Sequence, residues 1–418
     1  MTARFALLLA ALWLLAGCAS TVRLMPTPTL LTVEDPEIAA VDPDAIEGTT
    51  IDILYATNRV PVGPTDARHY TRLRSDDLRL GVATLKVGGE STSGGTSRAR
   101  ATAAAPGERP EIRLKATREM AVLEETAGAP GPDAVAFFAY VEQLLGRGGN
   151  RSLLIYMPGA NTTFERAAAQ AAQFQHFMGQ DAVVMVFAWP SAGMLLRYWR
   201  DVATARRSVP AFAQLLEQLA AHTHAAYVDV LAYSAGAMIV SPGLALVAGG
   251  AAGTDDRLRL GEIYYAAPDI DFPAFVDNLP RYKDQVRRVT GALNMGDRAL
   301  SVAQWIHRVS RAGRPNLDEI GPEETRWLVA ASERDELDVL SVRPADLPGL
   351  PATSHSFWYD HPWVSSDVLL KLRVHASPAA RGLEPNTTDR SIAFWTFPAD
   401  YEARLHALAR KLAAGKGP

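Results

Sequence analysis

The 418-residue sequence contains a single cysteine, Cys18, which excludes an internal disulfide. Charge imbalance is equally scarce. With 42 Lys and Arg against 46 Asp and Glu, the net charge is only −4. No basic patch interleaved with aromatics is present, so a nucleic-acid partner is not expected. The sequence has no His-Glu-x-x-His, Walker or dinucleotide motif, and neither a metal nor an organic cofactor is expected. The apolar run Phe5 to Leu15 is too short to span a bilayer.

That run has the form of a targeting segment. Arg4 supplies a positive start, and the run closes on Leu15-Ala16-Gly17-Cys18. This resembles the lipobox of bacterial lipoproteins, in which the cysteine is lipidated and becomes the mature N-terminus. Residues 1–18 are therefore expected to be a signal peptide and Cys18 the lipidation site. Ala19 follows where an Asp would favour inner-membrane retention, so the expectation is an outer-membrane anchor facing the periplasm. More than one acyl chain makes such an anchor stable. Residues 19–48 are rich in Pro, Thr and Asp and read as a tether.

The remaining sequence is 48% hydrophobic overall and long enough to bury a sizeable core. Ile51 to Tyr55 and Arg79 to Val87 alternate as strands, and Ile112 to Leu114 is a further strand candidate. Residues 88–110 are low-complexity and read as a loop. Helix spacing marks Pro132 to Leu145, Phe164 to Met178 and Arg200 to Ala221. Between them lie continuous apolar runs, Ser152 to Met157 and Ala182 to Ala188, as in strands covered on both faces. Strand runs recur at 262–267, 286–293 and 336–342, with helices at 299–309, 364–372 and 398–412. Alternation of this kind predicts an α/β fold: a mainly parallel sheet, antiparallel strands at its start, and helices on both faces. The predicted domain spans 49–375, followed by an extension, 376–418, that carries the terminal helix.

The central stretch is Val228 to Val240. A short apolar strand leads into Ala232-Tyr233-Ser234-Ala235-Gly236, and a helix can open at Ala237. Strand, small-x-Ser-x-small, helix is the context of a nucleophile elbow, where only small flanking residues fit the tight turn. In an α/β-hydrolase an acid and then a histidine follow the serine along the chain. Of the nine histidines, His307 and His406 fall in predicted helices and His375 follows the last sheet-packed helix. His355 and His361 remain, both in the loop after the strand at 336–342. His355 stands nearer the strand end and is the preferred base, with His361 in reserve. For the acid, Asp297 follows the strand at 286–293, while Asp269 and Asp271 follow the preceding strand and compete. Strand order favours Asp297, which could also cap its helix.

Several short motifs, in one order, resemble those of bacterial α/β-hydrolases of uncharacterised, esterase-like or lipase-like function. They are Ala56-Thr57-Asn58-Arg59, the loop Pro158 to Phe164, Trp189-Pro190-Ser191-Ala192-Gly193, and Tyr198 with Asp201. The Ala-x-Ser-x-Gly elbow, Ala266 to Asp269, Asp297 to Leu300, and Ser354-His355-Ser356-Phe357 complete the set. The resemblance spans about residues 51–372. It implies an α/β-hydrolase fold and a carboxylic ester hydrolase in which Ser234, Asp297 and His355 act together. Two positions depart from that pattern: Pro158 replaces a loop histidine, and Tyr233 replaces a histidine before the serine.

On this reading Ser234 attacks an ester, and the N–H of Ala235 with that of Ala160 or Asn161 holds the oxyanion. The substrate would be an ester-containing small molecule or lipid. The rival expectations are a lipid-anchored scaffold that has lost the reaction, and an envelope acyltransferase using the same acyl-enzyme.

Overall fold

The computed structural model describes residues 22–32, 50–88, 109–124, 130–179, 182–193, 197–250, 259–334 and 336–415. Cys18, most of the expected tether and nearly all of the low-complexity stretch lie outside these residues. Among the described residues, no helix is long and apolar enough to cross a membrane.

Twelve strands form one sheet, ordered β1-β4-β3-β2-β6-β5-β7-β8-β9-β10-β12-β11. The antiparallel end holds β1 (Val22–Arg23), β2 (Thr50–Val62), β3 (His69–Val87) and β4 (Glu111–Leu123). From β2 the sheet continues in parallel through β6 (Val183–Phe187), β5 (Ser152–Met157), β7 (Tyr227–Tyr233), β8 (Leu260–Ala266), β9 (Val286–Leu293) and β10 (Leu337–Ser341). This is the expected fold class: a mainly parallel sheet with antiparallel N-terminal strands.

Residues 384–396 add two strands not expected from the sequence. β12 (Ala393–Thr396) lies parallel to β10 at Leu340 and Trp395, and β11 (Glu384–Thr387) pairs antiparallel with β12. β11 is exposed along its whole length, so it carries no apolar alternation that the sequence could betray. The residues after 375 thus extend the central sheet. β3 also begins earlier than expected. Its first half, from His69, is polar and largely exposed as it pairs with the outer part of β2.

Ten helices cover the described sheet: α1 (Pro132–Arg147), α2 (Phe164–Met178), α3 (Tyr198–His222), α4 (Ala237–Gly250), α5 (Phe272–Tyr282), α6 (Arg298–His307), α7 (Pro322–Glu333), α8 (Phe357–Asp360), α9 (Pro362–Val374) and α10 (Tyr401–Ala413). The strand pleat divides the core in two. Leu153, Ile155 and Met157 of β5 join one buried cluster with Phe137, Phe212 and Ile239. Leu154 and Tyr156 join the other with Phe174, Trp358 and Leu369. Both faces of β5 are apolar because both are covered, which is why its sequence runs unbroken rather than alternating. Burying one such Leu or Ile side chain contributes about 1.5–3 kcal/mol.

α5 was not expected either. Pro273 and Pro280 read as helix breakers, yet Pro273 occupies the first turn, where its missing N–H costs nothing. Phe275, Val276 and Leu279 then face the core.

Candidate active site

β7 ends at Tyr233, and Ser234 follows with φ of 51°. That left-handed backbone is costly for a serine and is held by what surrounds the turn. Gly236 is one cause. A Cβ there would lie 2.7 Å from the carbonyl oxygen of Met157 and 3.0 Å from that of Pro158. Gly159 is another, since its added Cβ would meet Ser234 Cβ at 3.0 Å. The elbow and the β5 loop are therefore pressed backbone to backbone. On the other side, Asp269 N–H donates to the Ser234 carbonyl at 3.0 Å. The serine itself is 7% exposed.

Ser234 Oγ lies 2.8 Å from His355 Nε2, and His355 Nδ1 lies 2.6 Å from Asp297 Oδ2. These three residues come from the ends of β7, β9 and β10, all at the carboxyl edge of the sheet, where α/β folds place their sites. Asp297 is wholly buried, and its other oxygen, Oδ1, accepts the Leu300 N–H at 3.0 Å as the N-cap of α6. One carboxylate thus caps a helix and orients an imidazole. With a carboxylate on Nδ1, that nitrogen carries the proton, and Nε2 faces the hydroxyl as an acceptor.

The loop bearing His355 is tied to the loop bearing Asp297. Asn294 Nδ2 donates to the Ser354 carbonyl at 2.8 Å, and Asn294 Oδ1 accepts the Gly296 N–H at 2.9 Å. A Cβ on Gly296 would come within 2.4 Å of the Ala352 carbonyl oxygen. The His355 ring packs beside Tyr233, with ring centres 5.2 Å apart, and Tyr233 in turn packs beside Trp358 at the same separation. Tyr233, standing where a histidine was expected, thus walls the imidazole with an aromatic face.

The competing residues are placed elsewhere. Asp269 Oδ1 accepts Arg311 Nε at 2.6 Å and its Oδ2 accepts the Tyr198 hydroxyl at 2.7 Å. Asp271 pairs with Nη1 of the same arginine. Both carboxylates therefore neutralise a buried guanidinium and neither meets His355. His361 caps α9: its Nδ1 accepts the Trp363 N–H at 3.3 Å, and its Nε2 donates to the Pro348 carbonyl at 3.1 Å. Both ring nitrogens are taken, and burial pushes its pKa down.

The expected oxyanion donors separate in the same way. Asn161 N–H donates to Asp201 Oδ2 at 3.0 Å, so it is committed to the scaffold and corrects the expectation that it could serve. Ala235 and Ala160 N–H have no hydrogen-bond partner among the described residues. Both flank the contact between Gly159 and Ser234. Pro158, which has no N–H, contributes its carbonyl, which accepts Trp189 Nε1 at 2.8 Å.

Several residues of the quoted motifs turn out to support this loop. Asp201, buried at 1% exposure, also accepts the Ser191 hydroxyl at 2.8 Å and the Ala192 N–H at 2.6 Å. Ser191 Oγ in turn accepts the Thr162 N–H at 3.0 Å. Arg59 is 1% exposed and donates to five carbonyls, those of Thr71, Thr162, Ala188, Trp189 and Ser191. Burial lowers its pKa to about 10, so it stays charged at neutral pH. Arg59 and Asp201 lace the β5 and β6 loops together from opposite sides. Arg311 and Asn294 were not singled out from the sequence, because nothing local distinguishes either from an ordinary loop residue.

The architecture is that of an α/β-hydrolase, with a hydrogen-bonded serine, histidine and aspartate at the carboxyl edge of its sheet. A family model described as alpha/beta hydrolase of unknown function (DUF900) matches residues 136–342, which supports an α/β-hydrolase family. That match takes in Ser234 and Asp297 and stops short of His355. No curated protein and no solved structure matches the chain.

Proposed function

We propose that this chain is a serine hydrolase of carboxylic esters, with Ser234 as nucleophile, His355 as general base and acid, and Asp297 as the group that orients the histidine. The observation that carries the reading is the unbroken line from Asp297 Oδ2 through His355 to Ser234 Oγ, ending on a serine held at positive φ.

Ser234 Oγ attacks the ester carbonyl carbon while its proton passes to His355 Nε2. The carbonyl π electrons move to oxygen, and the oxyanion is met by the N–H groups of Ala235 and Ala160. One such donor contributes about 3–4 kcal/mol to the transition state. The carbon–oxygen bond to the alcohol then breaks, and Nε2 returns its proton to the departing alkoxide. Water, deprotonated by the same nitrogen, releases the acid from the acyl-enzyme and restores the serine. Asp297 stays ionised and stabilises the imidazolium in both halves.

Labelling with a fluorophosphonate probe and turnover of short-chain p-nitrophenyl esters test this. Wild type should do both, and Ser234→Ala neither. Ser234→Ala combined with His355→Ala should be barely worse than either alone, because the two act as one unit. A wild-type protein inert to both reagents would leave the scaffold reading standing. The sequence further supports lipidation at Cys18 and an envelope location. Cys18→Ser should abolish palmitate labelling and membrane fractionation, and membrane partition equal to wild type would reject that anchor.

A further inference from the structure

Large exposed apolar side chains gather on the rim beside Ser234. Trp305 is 81% exposed, Trp199 59%, Val302 58% and Met295 56%. Met295 lies in the turn before Asp297, and α6, which carries Val302 and Trp305, starts from that carboxylate. Trp199 is the second residue of α3, which follows the carboxyl end of β6. The two helices meet where the Trp199 ring lies 5.3 Å from that of His307. All four residues therefore belong to elements that start at the edge of the sheet carrying the serine.

The charge around them is of one sign. Segments 197–208 and 295–310 contain two acids, Asp201 and Asp297, and both are buried in the contacts already described. The exposed charges of the same segments include Arg197, Arg200, Arg298 and Arg308, and none of these four makes an ion pair among the described residues. Asp271, half-buried nearby, is taken by Arg311. On α6, Arg298, Val302 and Trp305 recur at helical spacing along the solvent side, opposite buried Leu300 and Ala303. A chain with a net charge of −4 thus concentrates unpaired arginine and tryptophan on one rim.

We propose that this rim docks on an anionic phospholipid surface and presents Ser234 to esters held in that surface. Tryptophan favours the boundary between headgroups and acyl chains, where its ring is apolar and its N–H can be wet. Arginine beside it meets the phosphates, each contributing about 1 kcal/mol near an anionic surface. The docking stands on the exposed side chains alone, whereas the choice of substrate rests on the esterase reading.

The test uses the full chain and compares two ester forms. One is a water-soluble p-nitrophenyl butyrate; the other is a fluorogenic ester lipid in vesicles of phosphatidylglycerol or of phosphatidylcholine. Every variant shares the same N-terminus, so differences between variants read the rim. Trp305→Asp with Val302→Asp should lower turnover of the vesicle ester at least tenfold and leave the soluble ester unchanged. Arg197→Glu with Arg200→Glu should lower turnover on phosphatidylglycerol only, and added salt should lower wild type to the same level. Equal loss on both esters, or none on vesicles, overturns the proposal. So does a wild-type dimer that Trp305→Asp dissociates, since a second copy would then cover the rim. If wild type cleaves neither ester, the esterase reading fails, and brominated phosphatidylglycerol decides the docking separately. Quenching that is lost in Trp305→Phe supports it, and equal quenching in both proteins overturns it.

Discussion

The carbonyl oxygen of Met157 occupies the space that a side chain on Gly236 would need, 2.7 Å from the site of its Cβ. The end of β5 and the elbow after β7 are therefore in contact through backbone alone, and that contact brings Ala160 and Ala235 to opposite sides of Ser234.

Gly236→Ala should consequently push the elbow off β5. We expect a loss of about 1–3 kcal/mol, the usual cost of overpacking, together with loss of fluorophosphonate labelling. Gly291→Ala, where an added Cβ meets only Leu293 Cδ2 at 3.7 Å, is the control and should do neither. Denaturant unfolding and gel labelling of the two variants check this. Equal behaviour would mean that the turn yields.

The two aspartate positions should fail differently. Asp297→Asn favours the wrong tautomer of His355 and should lower kcat by about 10⁴, with stability falling mainly through a weakened cap. Asp269→Asn leaves buried Arg311 with Asp271 as its remaining carboxylate and should cost about 3–5 kcal/mol of stability, with a much smaller effect on kcat per folded molecule. Ester turnover normalised to the folded fraction separates the two. The reverse ranking would move the acid to the β8 loop.

Asp201 and Arg59 position the oxyanion loop without touching a substrate. Asp201→Asn keeps the shape but offers one acceptor oxygen where two are used by three donors. We expect kcat to fall at least tenfold with KM nearly unchanged, because a displaced Ala160 N–H is felt in the transition state more than in the bound ester. Arg59→Lys should do the same and also lower the unfolding temperature, since a lysine cannot reach five carbonyls spread over three loops. A rise in KM at constant kcat would instead place these residues in substrate binding.

His361 should make stability depend on pH. Its neutral ring accepts from Trp363 and donates to Pro348, and burial holds its pKa below the ordinary value of about 6.5. The unfolded chain takes up the proton first as pH falls, so the stabilisation is full above pH of about 6.5 and declines below it. Wild type should therefore exceed His361→Asn in unfolding temperature at pH 7.5, and the gap should narrow by pH 5. A gap that widens on acidification would mean that the charged form is the one held.

The sequence by itself determined most elements of the sheet and the position of the elbow. Runs such as Ser152 to Met157, apolar on both pleat faces, have one stable place, a strand covered on both sides. Small residues around Ser234 were equally legible, because the turn needs them whatever lies further away. The preference for Asp297 and His355 also came from chain order, but order alone left Asp269 and His361 in contention. Tertiary structure separated them. Asp269 is claimed by Arg311, 42 positions along the chain, and His361 by the carbonyl of Pro348. It also decided which loop N–H is free, since Asn161 donates to Asp201 from 40 positions away. The strands β11 and β12 likewise exist through pairing with β10, not through any pattern of their own. Local sequence fixes what a residue's neighbours along the chain require. Hydrogen-bond partners brought together by folding are chosen by the whole chain, and no local pattern records them.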